Sequence, residues 1–96
     1  MRIIHTDKAV ADVRSAFRYI AREAGENIAE NILTRVRGAI TSLAKFPEQG
    51  RVGRVKSTHE LLISKTPFIA AYRVLGDEIQ ILSVIHTARR WPENFK

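Results

Sequence analysis

Cysteine is absent from the 96 residues, and that removes two chemistries at once: no disulfide can staple the chain, and no thiolate can hold a metal. A metal site would need His5, His59 and His86 with carboxylates, and three histidines so scattered lack ligand spacing. Neither a metal nor another cofactor is expected. Proline and glycine are sparse, at three and five residues, so linkers and low-complexity tracts have little to be built from. No apolar run approaches the roughly twenty residues that a membrane span needs. Asp7 also interrupts the opening MRIIHTDKAV before a signal peptide's apolar stretch could form. A cytoplasmic protein without membrane contact is the expectation. Negative charge is scarce too: ten Asp and Glu against sixteen Lys and Arg leave a formal charge of +6. Such a potential attracts nucleic acid, anionic lipid or an acidic protein partner.

A hydrophobic content of 45% over this length fits one domain, residues 1–96, near the lower end of the range in which a single core folds unaided. Ile3 and Ile4 precede Thr6-Asp7, a helix-cap pair, and predict a short strand over residues 2–5. Val10, Val13, Phe17, Ile20 and Ala24 then recur at three- and four-residue spacing, with Asp12, Arg14, Arg18 and Arg22 between them. That is one amphipathic helix. Gly25 can close it, and Asn27 with Glu30 has the form of a capping box for a second. Ile28, Ile32, Val36, Ile40 and Leu43 mark the second stripe, ended by Pro47. So short a connection predicts an antiparallel helical hairpin. Pro47 to Ser57, PEQGRVGRVKS, has no periodicity and reads as a cationic loop carrying Arg51, Arg54 and Lys56.

Three strand patterns follow, His59–Ser64, Phe68–Leu75 and Glu78–His86, the last two joined by Gly76-Asp77 as a hairpin turn. The expected fold is therefore α+β: an N-terminal strand and a helical hairpin packed on one face of a small antiparallel sheet. A tight turn also fixes register. Pairing Leu75 with Glu78 puts Val74 opposite Ile79, Tyr72 opposite Ile81, Ala70 opposite Ser83 and Phe68 opposite Ile85 on the core face. The other face receives Arg73 with Gln80, Ala71 with Leu82, Ile69 with Val84 and Pro67 with His86. Ile69, Ala71, Leu82 and Val84 would then form an exposed apolar patch suited to a partner, unless the C-terminal tail folds over it.

The ordered set of AVADVRSAFRYIAREAG, FPEQGRVGR, HELLIS, FIAAYRV and ILSVIHTARRWP resembles the RelE/ParE superfamily, the toxins of type II toxin–antitoxin modules, over nearly the whole chain. The resemblance implies a cognate acidic antitoxin, ParD-like or RelB-like, for which the patch of Ile69, Ala71, Leu82 and Val84 is the predicted binding surface. Operator DNA would be met only through that antitoxin. It also implies one of two targets. RelE-like members resemble ribosome-dependent nucleases that cut mRNA by attack of a ribose 2′-hydroxyl on the adjacent phosphate, which needs a base, cations and an acid. ParE-like members are associated with poisoning DNA gyrase by binding, where docking chemistry suffices.

Residues separate the branches. Where the nuclease branch typically carries Arg-Leu-Val-Tyr, this chain has Ile69-Ala70-Ala71-Tyr72, and where it carries two lysines one strand earlier the matching positions hold Glu60 and Leu62. The ending, with His86, Arg89, Arg90 and Trp91, is similar to ParE-type sequences. The reading is a ParE-like gyrase inhibitor without a catalytic set, with Arg51, Arg54, Lys56, Arg73, Arg89, Arg90 and Trp91 as target-binding residues. Trp91 would be packed, because burying an indole stabilises by a few kcal/mol. The alternative is a ribosome-dependent mRNA endonuclease with Glu48 or Glu60 as base, Arg51 or Arg54 on the phosphate and His86 as acid. A third reading is a non-toxic co-repressor that only binds antitoxin. Arg73 and His86 lie six strand positions apart, about 20 Å, so they cannot share one phosphate.

Overall fold

The computed structural model describes residues 1–87. Strand β1 (Arg2–His5) leads into helix α1 (Asp7–Ala24), then helix α2 (Glu26–Ser42), and then strands β2 (Arg51–Val52), β3 (His59–Leu62), β4 (Phe68–Leu75) and β5 (Glu78–His86). The sheet order is β1-β5-β4-β3-β2. The predicted α+β sandwich of two helices against a sheet is what forms. The sheet is mixed rather than antiparallel, because β1 joins parallel to β5, with Ile3 beside Ile79 and His5 beside Ile81. The cationic segment is also more ordered than a loop, since Arg51 and Val52 pair with Glu60 and His59 as an edge strand.

Thr6 caps α1 as expected: its extended backbone starts the helix, and its hydroxyl accepts from the Ala9 amide at 3.2 Å. The predicted capping box of Asn27 and Glu30 does not form. Gly25, at φ 98°, ends α1 and starts α2 at once, its amide donating to the Ala21 carbonyl and its own carbonyl accepting from Ala29. One glycine in a conformation that disfavours side chains replaces two caps, which leaves no intervening residue to cap with. The helical stripes meet the sheet in a core that includes Ala9, Val36, Ile40, Leu43, Leu61, Phe68, Tyr72, Ile79 and Ile81.

The hairpin turn and register hold from Leu75–Glu78 to Tyr72–Ile81, and then a bulge intervenes. Ala71 pairs with Ser83, leaving Leu82 as the extra residue on β5, and every later pair moves on by one: Ala70 with Val84, Ile69 with Ile85, Phe68 with His86. Since successive side chains alternate between faces, the bulge exchanges the faces of Val84, Ile85 and His86. Helix α1 stabilises it. The Asp12 carboxylate accepts from the Ser83 hydroxyl at 2.6 Å and the Val84 amide at 3.0 Å. Thr6 donates to the Ile81 carbonyl at 2.8 Å, with the Leu82 carbonyl also within reach at 3.2 Å. Among the described residues no helix is long and apolar enough to cross a membrane.

Candidate functional site

The surface residues fall into two groups on opposite sides of the sheet. The first centres on Glu60. Directly opposite Arg51 on β2 and Ala71 on β4, its carboxylate is only 2% exposed, yet five donors meet it. Arg54 approaches with its backbone amide at 2.8 Å, Nε at 3.1 Å and Nη2 at 3.2 Å. Arg51 supplies Nε at 3.3 Å and Nη2 at 3.1 Å. Burial alone would raise the carboxyl's pKa, but the hydrogen bonds from Arg54 and Arg51 and the Arg54 charge outweigh it and hold the group below the usual value of 4.5. A carboxylate so saturated is a poor proton acceptor.

That arrangement bears on the nuclease reading. The register places His86 opposite Phe68, where the two rings meet edge-on at 5.4 Å. Phe68 belongs to the helix-side core, whereas Glu60 pairs with Ala71 on the other face. His86 therefore lies across the sheet from Glu60, two strands over and three positions along, about 10 Å in each direction. Glu48 is an exposed residue of the turn after α2. It lies near Tyr72, a fully buried core residue. The Tyr72 phenol donates to the Pro47 carbonyl at 2.8 Å and accepts from the Gly50 amide at 2.9 Å. Burial raises its pKa, the Gly50 bond partly offsets this, and the negative charge of Glu48 adds to the rise. Glu48, Glu60, Arg51, Arg54 and His86 thus do not converge on a common point.

Ile69, the position compared above with a nuclease arginine, is a buried aliphatic side chain, 5% exposed. Ala71, Leu82 and Val84 are also buried, at 0, 8 and 6%. The four residues predicted as an exposed apolar patch do not form one, and the bulge turns Val84 into the helix-side core. Arg73 is exposed and donates to the Gln80 side chain at 2.7 Å, not to Glu78 or Glu60; Glu78 pairs instead with Arg2. Lys56 is exposed in the loop before β3. Arg89, Arg90 and Trp91 lie outside the described residues.

The second group was missed by the reading of faces on the sheet. Between α1, α2 and β1 runs a groove of about 610 Å³, walled by Val10, Val13, Phe17, Leu33 and Ile40 and edged by Arg14, Arg18 and Arg37. Val10 remains 41% exposed there. The signal was present in the sequence, because Arg14 and Arg18 recur at four-residue spacing beside the apolar stripe and so edge one face of α1. Among the described residues no group of three or more His, Asp or Glu is placed to hold a metal ion.

Comparison with known proteins agrees with this architecture. A family model described as "ParE toxin of type II toxin-antitoxin system, parDE" matches residues 3–91. The protein named "Putative toxin Y4kP" of Sinorhizobium fredii is 35% identical over 92 residues, covering 96% of this chain and 94% of its own length. "Toxin RelE2" of Caulobacter vibrioides is 28% identical over 88 residues, covering 92% and 97%. A solved chain titled "Chromosomal ParDE TA system from P. aeruginosa" superposes with a TM-score of 0.82 at 27% identity, over 90% of this chain and 95% of that one. The chain belongs to the ParE toxin family of type II toxin–antitoxin systems.

Proposed function

We propose that this toxin acts by binding rather than by cutting: it inhibits a DNA topoisomerase, DNA gyrase, and is neutralised by a cognate antitoxin. Three observations together carry the reading. The Glu60 carboxylate is consumed by the loop arginines, the histidine that would complete a nuclease lies on the other face, and position 69 offers a buried isoleucine. Described residues in which base, acid and cations do not come together at one phosphate support docking rather than cutting. Target contact is assigned to Arg51, Arg54, Lys56 and Arg73, with Arg89, Arg90 and Trp91 as further candidates. The antitoxin seat is assigned to the groove between α1 and α2, in place of the sheet face. Its apolar walls and arginine edges complement an acidic amphipathic helix laid in lengthwise.

Purified toxin added in parallel to a gyrase supercoiling reaction and to a translating ribosome system tests this. Stabilised cleavage complexes and lost supercoiling are expected, with translation products intact. Codon-spaced mRNA cuts that disappear in His86→Ala would establish the nuclease reading instead. Silence in both assays, with antitoxin binding retained, would leave a co-repressor.

A further inference from the structure

The segment from Pro47 to Ser57 is cationic, and it is also fixed in place along its length. The Tyr72 phenol holds the Pro47 carbonyl and the Gly50 amide. The Gly53 amide donates to the Thr58 carbonyl at 2.8 Å, and the Thr58 hydroxyl donates to the Val55 carbonyl at 2.6 Å. Glu60 takes both arginines between these ties. The result is that Arg51 and Arg54 are held by one buried carboxylate while their side chains stay 53% and 51% exposed. Arg73 shares their face: it lies two positions beyond Ala71, the β4 partner of Glu60.

We propose that this platform is a seat for the phosphodiester backbone of double-stranded DNA, with Glu60 as the positioning residue that aligns the Arg51 and Arg54 guanidiniums. Three features favour that ligand. Guanidinium groups are planar forks matched to phosphate oxygens, and alignment beforehand reduces the ordering cost of each contact. A contact with protein alone would be gripped through an apolar anchor in a pocket, and the apolar groove lies elsewhere, between the helices, so these arginines would meet a topoisomerase target through the DNA it holds. Single strands are held by aromatic stacking, and Pro47 to Ser57 contains no aromatic residue. Cations held at the β2 edge of the sheet with a +6 chain behind them suit a duplex backbone. The inference goes beyond gyrase inhibition and is tested without gyrase, so either can fail while the other stands.

The experiment is fluorescence anisotropy of a short labelled duplex titrated with the full-length toxin between 50 and 200 mM salt, the range over which phosphate contacts dominate the affinity change. Arg51→Gln with Arg54→Gln is expected to weaken binding and to make the slope of log affinity against log salt shallower by about 1.8, the loss of two phosphate contacts. Arg22→Gln with Arg35→Gln removes the same charge from the exposed helix surface and should leave the slope near that of the wild type. Equal losses from the two pairs would overturn the proposal. Glu60→Gln adds one net positive charge, so charge counting alone predicts tighter binding; a positioning role predicts weaker binding in a protein whose thermal melt remains cooperative. Tighter binding by that variant would sink the role of Glu60. Competition by polyglutamate or single-stranded RNA as effective as by unlabelled duplex would overturn the ligand class.

Discussion

Asp12 and Glu60 are both carboxylates surrounded by donors, and each fastens a part of the chain that the backbone ladder leaves loose. Asp12 accepts from Ser83, Val84 and Lys8, so Asp12→Ala strands a buried hydroxyl and the bulge amide. We expect a loss of about 1–3 kcal/mol in urea unfolding, with a smaller loss in Asp12→Asn, which keeps one acceptor. Glu60 makes a prediction in pH. Its folded-state carboxyl titrates below the usual 4.5, so the folded state prefers the ionised form more strongly than the unfolded chain does. That contribution is complete above about pH 4.5 and is lost as pH falls through the depressed folded-state value. Unfolding free energies of wild type and Glu60→Gln should therefore differ by about 1–3 kcal/mol at pH 7 and converge on acidification below pH 4.5. A gap that stayed constant to pH 3 would remove the ionised carboxylate from the account.

At the scale of elements, how much the sequence foretold depended on how local the determinants were. Helix stripes and strand alternation depend on neighbours a few positions away, and β4 and β5 occupy the predicted residues, Phe68–Leu75 and Glu78–His86. The register was legible near the turn for the same reason, since Gly76-Asp77 sets Leu75 against Glu78. It was lost at Leu82, because the bulge is stabilised by Asp12, whose bond to Ser83 spans 71 positions, and periodicity carries no trace of so distant a partner. That one unseen residue turned Val84 toward the helices, whereas Ile69 and Ala71 keep the predicted face of β4 and are buried there. Glycines give this scale its own test. In α2, a Cβ added at Gly38 meets nothing within 4 Å, so Gly38→Ala should raise stability by about 0.5–1 kcal/mol through helix propensity. At Gly53 the same atom would lie 2.2 Å from the Thr58 hydroxyl and 2.9 Å from its backbone oxygen. Gly53→Ala should therefore loosen the loop, costing about 1–3 kcal/mol, and raise amide exchange at Arg54 and Thr58. Equal melting temperatures for the two variants would contradict this.

Across the whole molecule, the sheet separates two basic surfaces with different neighbours. The Glu60 platform is built on two arginines tied to one carboxylate, whereas the groove between α1 and α2 has apolar walls under Arg14, Arg18 and Arg37. These differences predict separable effects on the cognate antitoxin. Charge at the margin of an interface acts chiefly on the encounter, so Arg14→Glu with Arg18→Glu should slow association about tenfold or more and make it less sensitive to salt. An apolar wall acts after contact is made. Phe17→Ala should leave association nearly unchanged and speed dissociation, because it removes buried area from the bound state. Arg51→Gln with Arg54→Gln, on the opposite side of the sheet, should alter neither rate. Surface-captured antitoxin with each toxin variant flowed over it resolves the two rate constants. If the Arg51 and Arg54 pair slowed association as much as the groove reversals do, the antitoxin would be reading the toxin's overall charge, and the groove would lose its claim to be the seat.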